Sequence, residues 1–168
     1  MKALLIATLI ALCLPAASRA KTYMLPDDEP VALIALPDAW AADDLDDGIE
    51  AVSPDEAVYV AVEAADRYDP DGALAAARAF FDDKGIVVDR ASTTPKDIEI
   101  NGYAGFSLTF EGRDEDGPTH VVVSVLQVSE AGALMITYWA SDDGENANPD
   151  ALSALLSSIQ TAKKTIDQ

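Results

Sequence analysis

One cysteine (Cys13), one histidine (His120) and only 11 basic residues against 30 acidic ones mark what this sequence is short of. A lone cysteine cannot close an intramolecular disulfide. It also lies in an N-terminal segment whose anatomy predicts removal, so the remaining chain is expected to have no disulfides, thiolate chemistry or cysteine-bound metal. A lone histidine cannot build a multi-histidine zinc site. With no Gly-x-Ser-x-Gly elbow and no serine in a distinctive context, His120 has no partner nucleophile and reads as a surface or strand-edge residue. The shortage of bases leaves a formal charge of −19. Such a surface repels phosphate backbones and anionic headgroups, so nucleic acid is not an expected partner. Long apolar runs are missing as well. The run Ala3 to Leu14 falls short of the roughly 20 apolar residues that span a bilayer, so no stable membrane insertion is expected.

What is present at the start has the three parts of an export signal: Lys2 as a basic head, the apolar run from Ala3, and a small-residue exit at Ser18-Arg19-Ala20. Cleavage near Ala20 and a periplasmic or secreted product are the expectation. Lipidation at Cys13 is disfavoured, because Leu12 before it is bulky and the cysteine falls inside the apolar run. Removing residues 1–20 takes away Lys2 and Arg19 and no acid, which makes the product two units more negative. The expected organisation is a signal peptide (1–20), an extended lead-in (21–30), one domain (31–162) and a frayed tail (163–168). A domain of that length can bury enough apolar surface to fold without crosslinks.

The acids are dispersed in short groups, among them Asp27-Asp28-Glu29, Asp43-Asp44, Asp46-Asp47, Asp82-Asp83, Asp114-Glu115-Asp116 and Asp142-Asp143. Most fall at turns, where a carboxylate solvates the surface and Asp suits the local geometry. With cysteine gone and histidine single, any metal site would have to be made of oxygen ligands and take calcium or magnesium. Asp43, Asp44, Asp46 and Asp47 form the densest group, although Leu45 stands where a loop ligand belongs. The stretches around Asp69 and Asp114 fail the EF-hand pattern, with Arg67 and Gly112 in the first ligand place and Arg78 and Val123 in the twelfth. Gly102-Tyr103-Ala104-Gly105 has no P-loop lysine and leads into a strand, so it reads as turn glycine. No cofactor is expected. Trp40 and Trp139 are the candidate recognition residues if they share an exposed patch; burial would make them packing residues.

Periodicity supplies the elements. Val31 to Leu36 reads as a buried strand stopped by Pro37, and Ile49–Ser53 and Val58–Val62 as a hairpin. Asp69-Pro70-Asp71 opens a helix with Leu74, Ala77 and Phe81 on one face, closed by Lys84-Gly85. Ile98–Ile100, the Asn101-Gly102 turn, and strands over Phe106–Glu111, His120–Val128 and Ala133–Ala140 make an antiparallel meander, with Phe106, Leu108 and Phe110 inward. Tyr138 and Trp139 must then point to opposite faces. Asn148-Pro149-Asp150 opens a second helix whose Leu152, Leu155, Leu156 and Ile159 form an apolar stripe. The fold class is α+β: a mainly antiparallel sheet of about five to seven strands with helices packed on it.

The order of these elements resembles a known family. A strand ending in proline and followed by tryptophan (Leu36-Pro37-Asp38-Ala39-Trp40), a hairpin, a helix over Ala73–Asp83, an Asn-Gly turn before an alternating strand (Ile100 to Phe106), two more strands, and a closing helix ending Leu155-Leu156-Ser157-Ser158-Ile159 are similar to the PsbP-like superfamily. That group includes the extrinsic PsbP subunit of photosystem II, periplasmic DcrB-type proteins and a Ran-binding import factor. The resemblance implies an αβα sandwich and a non-enzymatic accessory or binding role toward another protein or a small ligand. It carries over no site residues. The alternatives are a divalent-cation binder using the acidic loops, and an enzyme whose site is scattered beyond recognition in the sequence.

Overall fold

The computed structural model describes residues 19–26, 28–65, 67–130 and 132–162. The expected leader, with Cys13, and the expected tail after residue 162 lie outside them, Arg19 and Ala20 excepted.

Among the described residues eleven strands and three α-helices follow in the order β1 (Ala20–Leu25), β2 (Ala32–Pro37), β3 (Ala41–Leu45), β4 (Gly48–Val52), β5 (Val58–Ala65), α1 (Pro70–Lys84), β6 (Val87–Val88), β7 (Thr94–Ile100), β8 (Tyr103–Arg113), β9 (Pro118–Gln127), β10 (Ala133–Ala140), α2 (Asp142–Ala147), α3 (Pro149–Ser158) and β11 (Gln160–Thr161). Every pairing is antiparallel. The main sheet runs β3-β4-β5-β10-β9-β8-β6, with β7 also on β8, and a small sheet runs β1-β2-β11.

The α+β class read from the sequence stands, and the main sheet is larger than five to seven strands. It has eight. Its unread members are β3 and the two-residue β6, Val87–Val88, while the expected strand over Val31–Leu36 lies as β2 in the small sheet. The lead-in forms β1 against β2, while β3 is an edge strand whose Asp43 and Asp44 are exposed. The acidic stretch Asp142-Asp143 is the first turn of α2, capped by Ser141 Oγ, which accepts from the Gly144 amide at 3.1 Å.

The two faces of the main sheet carry separate cores. On one, α1 lays Ala77 and Phe81 on Leu108, Phe110, Val121, Val123 and Met135. On the other, the small sheet and α3 bury Leu36, Trp40, Val60, Leu126, Leu134, Leu155 and Ile159. Helices therefore flank the sheet on both sides. The alternation of strand side chains assigns each residue to its core, and Tyr138 and Trp139 part to opposite faces as expected.

Local signals set the helix ends. Asp69 Oδ1 accepts from the Gly72 amide at 3.0 Å, Pro70 occupies the first turn, and Gly85 adopts φ +73° while the Ile86 amide donates back to the Phe81 carbonyl at 2.8 Å. The Asn101-Gly102 pair has φ of +55° and +82°, the conformation of a primed hairpin turn.

Candidate functional site

Strand β8 alternates large and small side chains. Phe106, Leu108 and Phe110 point toward α1, leaving Gly105, Ser107 and Thr109 on the opposite face. Opposite Ser107 in the neighbouring strand stands Ser124. Small residues at facing positions leave space that the helix above does not fill. The result is a cleft of about 570 Å3 between the sheet and α3, within the range of small-molecule sites. Its floor is Val60, Val122, Ile136 and the serine pair; Ile98 and Ile100 of β7 form one wall. Leu152, Leu155 and Leu156 of α3 make the roof, and Glu145, Asn146 and Pro149 the lip.

Few polar groups enter this apolar space. Ser124 Oγ donates to Ser107 Oγ at 3.0 Å, and both residues are 7% exposed, so each of these buried hydroxyls has a partner in the other. Tyr138 Oη donates to Glu145 Oε1 at 2.7 Å. Burial, and then the Glu145 carboxylate that its hydroxyl serves, push the Tyr138 phenol well above its ordinary range, which keeps it a neutral donor.

The roof is tied at both ends. Asn148 does not cap α3 with its side chain; its Nδ2 donates instead to Asp55 Oδ2 at 3.0 Å and to the Gly144 carbonyl at 3.0 Å. At the other end Asn101 Nδ2 donates to the carbonyls of Leu156 at 2.8 Å and Ile159 at 3.0 Å, so the hairpin residue also satisfies helix C-terminal acceptors. Hydrogen bonds from Ser53, together with that from Asn148, hold the Asp55 carboxyl below its usual range.

The residues singled out in the sequence lie apart from one another. Trp40 is 6% exposed in the core beneath the small sheet, while Trp139 stacks on Tyr59 at 3.7 Å on the α1 face, with Phe81 edge-on to it. The two indoles share no patch. Asp43 and Asp44 are successive residues of β3 and so project to opposite sides, and Asp46 and Asp47 form the turn into β4. Among the described residues no three acidic, histidine or cysteine side chains are grouped as a metal site. Other acids serve turns: Asp114 Oδ1 accepts from the amides of Asp116 and Gly117, both at 2.9 Å. On the α1 side, burial and then the charges of Asp47 and Glu50 push the Glu63 carboxyl up.

His120, the third residue of β9, stands among three carboxylates. Its Nδ1 is 3.4 Å from Asp142 Oδ1 and 4.0 Å from Glu145 Oε2, and its Nε2 is 3.7 Å from Glu111 Oε2. It is not among the residues that line the cleft. The sequence reading missed Glu145, Ser107 and Ser124. The available signal was a serine set between large apolar residues in each of two adjacent strands, Ser107 between Phe106 and Leu108 and Ser124 between Val123 and Val125.

The architecture defines an α+β sandwich of the PsbP-like fold. Solved structures share it, three of them as follows. CyanoP, the cyanobacterial PsbP of Synechocystis, matches with a TM-score of 0.56 and 11% identity over 90% of this chain and 98% of its own. A Bacteroides thetaiotaomicron protein matches with a TM-score of 0.56 and 11% identity over 86% of this chain and 49% of its own. LpqN of Mycobacterium tuberculosis, described as involved in cell envelope biogenesis, matches with a TM-score of 0.51 and 14% identity over 84% and 91%. At these identities the likeness is one of fold. No family model and no curated protein matches the sequence.

Proposed function

We propose that this chain is an exported, non-enzymatic binding domain whose site is the cleft between the sheet and α3. The observation that carries the reading is the cleft itself: about 570 Å3 of apolar-lined space in a small domain, with its internal serines satisfied by each other and its roof fastened at both ends. Such a space suits the apolar body of a small ligand, because filling it removes apolar surface from water without leaving a buried polar group unpaired. His120, outside the cleft and surrounded by carboxylates, serves the α2 junction in this reading rather than a reaction.

Fluorescence titration with the neutral apolar dye N-phenyl-1-naphthylamine tests the site. Saturable enhancement is expected, and Val122→Trp, which places an indole on the cleft floor, is expected to remove at least about nine-tenths of it, since filling the space costs the ligand its contacts. Equal dye binding by the variant would show that the site lies elsewhere.

Export rests on Lys2, the Ala3–Leu14 run and the Ser18-Arg19-Ala20 exit. Among the described residues no helix is long and apolar enough to cross a membrane. The intact mass of protein recovered from its native cell is expected to lack residues 1–20; a full-length mass would refute processing.

A further inference from the structure

The cleft has one charged residue among those that line it. Glu145 sits at the lip, on α2, with its side chain 40% exposed. Oε1 accepts the Tyr138 hydroxyl at 2.7 Å, while the nearest basic nitrogen to Oε2, Nδ1 of His120, stands at 4.0 Å, beyond hydrogen-bond reach. That same imidazole is closer to Asp142, at 3.4 Å, and its other nitrogen faces Glu111 at 3.7 Å, so three carboxylates compete for one imidazole. The mouth of an apolar site is thus left with surplus negative charge, in a chain whose formal charge is already −19. A carboxylate bordering a low-dielectric space gains most from a cation brought in on the ligand, and an anionic head would meet repulsion there.

Resting on the cleft as the binding site, we propose that its ligand class is the cationic amphiphile: an apolar chain or ring system that lies under α3 and ends in a protonated amine paired with Glu145 Oε2. Tyr138 orients that carboxylate by holding Oε1, and the serine pair lets the apolar portion pass over it. Fatty acids and other anionic amphiphiles of the same length are excluded by charge.

Isothermal titration of the full chain with dodecylammonium, dodecanol and dodecanoate, each below its aggregation concentration, tests this. Dodecylammonium is expected to bind at least about tenfold more tightly than either of the others, the scale of one charge-assisted hydrogen bond. Glu145→Gln is expected to bring the ammonium and alcohol affinities within about threefold of each other as that bond loses its charge. Asp143→Asn removes a charge from the same helix without touching the cleft lining, and is expected to preserve the preference. Should Asp143→Asn reduce the preference as much as Glu145→Gln does, general attraction to an acidic surface would explain it and the assignment of Glu145 would fall. Dye binding without any charge preference in the unaltered chain would overturn the ligand class and leave the binding site standing. Failure of the dye and all three amphiphiles to bind would overturn both. The comparison of ligands on the unaltered chain decides the matter even if a variant does not fold.

Discussion

Phe81→Ala is expected to lower the free energy of unfolding by about 3–5 kcal/mol, read as a drop in the urea midpoint with an unchanged slope. Phe81 is 1% exposed at the centre of the α1 face, among Ala77, Ile86, Leu108 and Met135 and edge-on to Trp139 at 6.4 Å. Truncation removes both the transfer energy of the ring and the contacts of its neighbours. The walls cannot close over the gap, because strands β9 and β10 are pinned by pairing on both sides. The near-UV signal of Trp139 is expected to weaken with it. Binding in the cleft is expected to survive at denaturant concentrations well below the new midpoint, since the cleft lies on the other face of the sheet. A loss below about 1 kcal/mol would mean that α1 does not seal this face as described.

The second large effect concerns the lip. A Cβ added at Gly144 would stand 2.5 Å from the Ala57 carbonyl oxygen and 2.8 Å from the Ala57 Cβ. Those are backbone and stem atoms that cannot swing aside. Gly144→Val is therefore expected to force α2 off the turn before β5, at a cost of about 1–3 kcal/mol for overpacking. Three contacts go with it: Tyr138 to Glu145, Asn148 to the Gly144 carbonyl, and Asn148 to Asp55. The cleft loses its lip and one of the two ties of its roof. Dye affinity is expected to fall at least about tenfold, because an unfastened wall must be ordered again on binding. Full affinity in Gly144→Val would show that α2 takes no part in the site.

Much of the framework was legible because its signals are local. The Asp69-Pro70 opening and Gly85 ending of α1, the Asn101-Gly102 turn and the alternation through Phe106, Leu108 and Phe110 each depend on a few adjacent residues, and each forms as read. What escaped depends on distant neighbours. Strand β3 carries exposed aspartates and is a strand only because β4 pairs with it, and β1 exists only against β2. Asn148 looked like a helix cap, and its amide is drawn away by Asp55, 93 positions earlier in the chain. The cleft was the hardest to see. It is defined by what Ser107 and Ser124 fail to fill, and a void between a sheet and a helix has no signature in either segment alone. The PsbP-like resemblance, carried by element order, reached the fold without reaching the site.

Strand β2 has a consequence for the time course of folding. Its Leu33 and Ala32 pair with Gln160 and Thr161 on one side, and β1 pairs along the other. A chain that emerges from its N-terminus first therefore holds one edge of β2 unsatisfied until nearly the whole polypeptide is available, and loop closure over such a separation is slow. In that interval Ala32, Ile34 and Leu36, which end up buried, have no roof from α3. An unpaired apolar strand edge invites association with other chains. The long wait of β2 for its last neighbour makes this small sheet the place where newly made molecules are most exposed to one another.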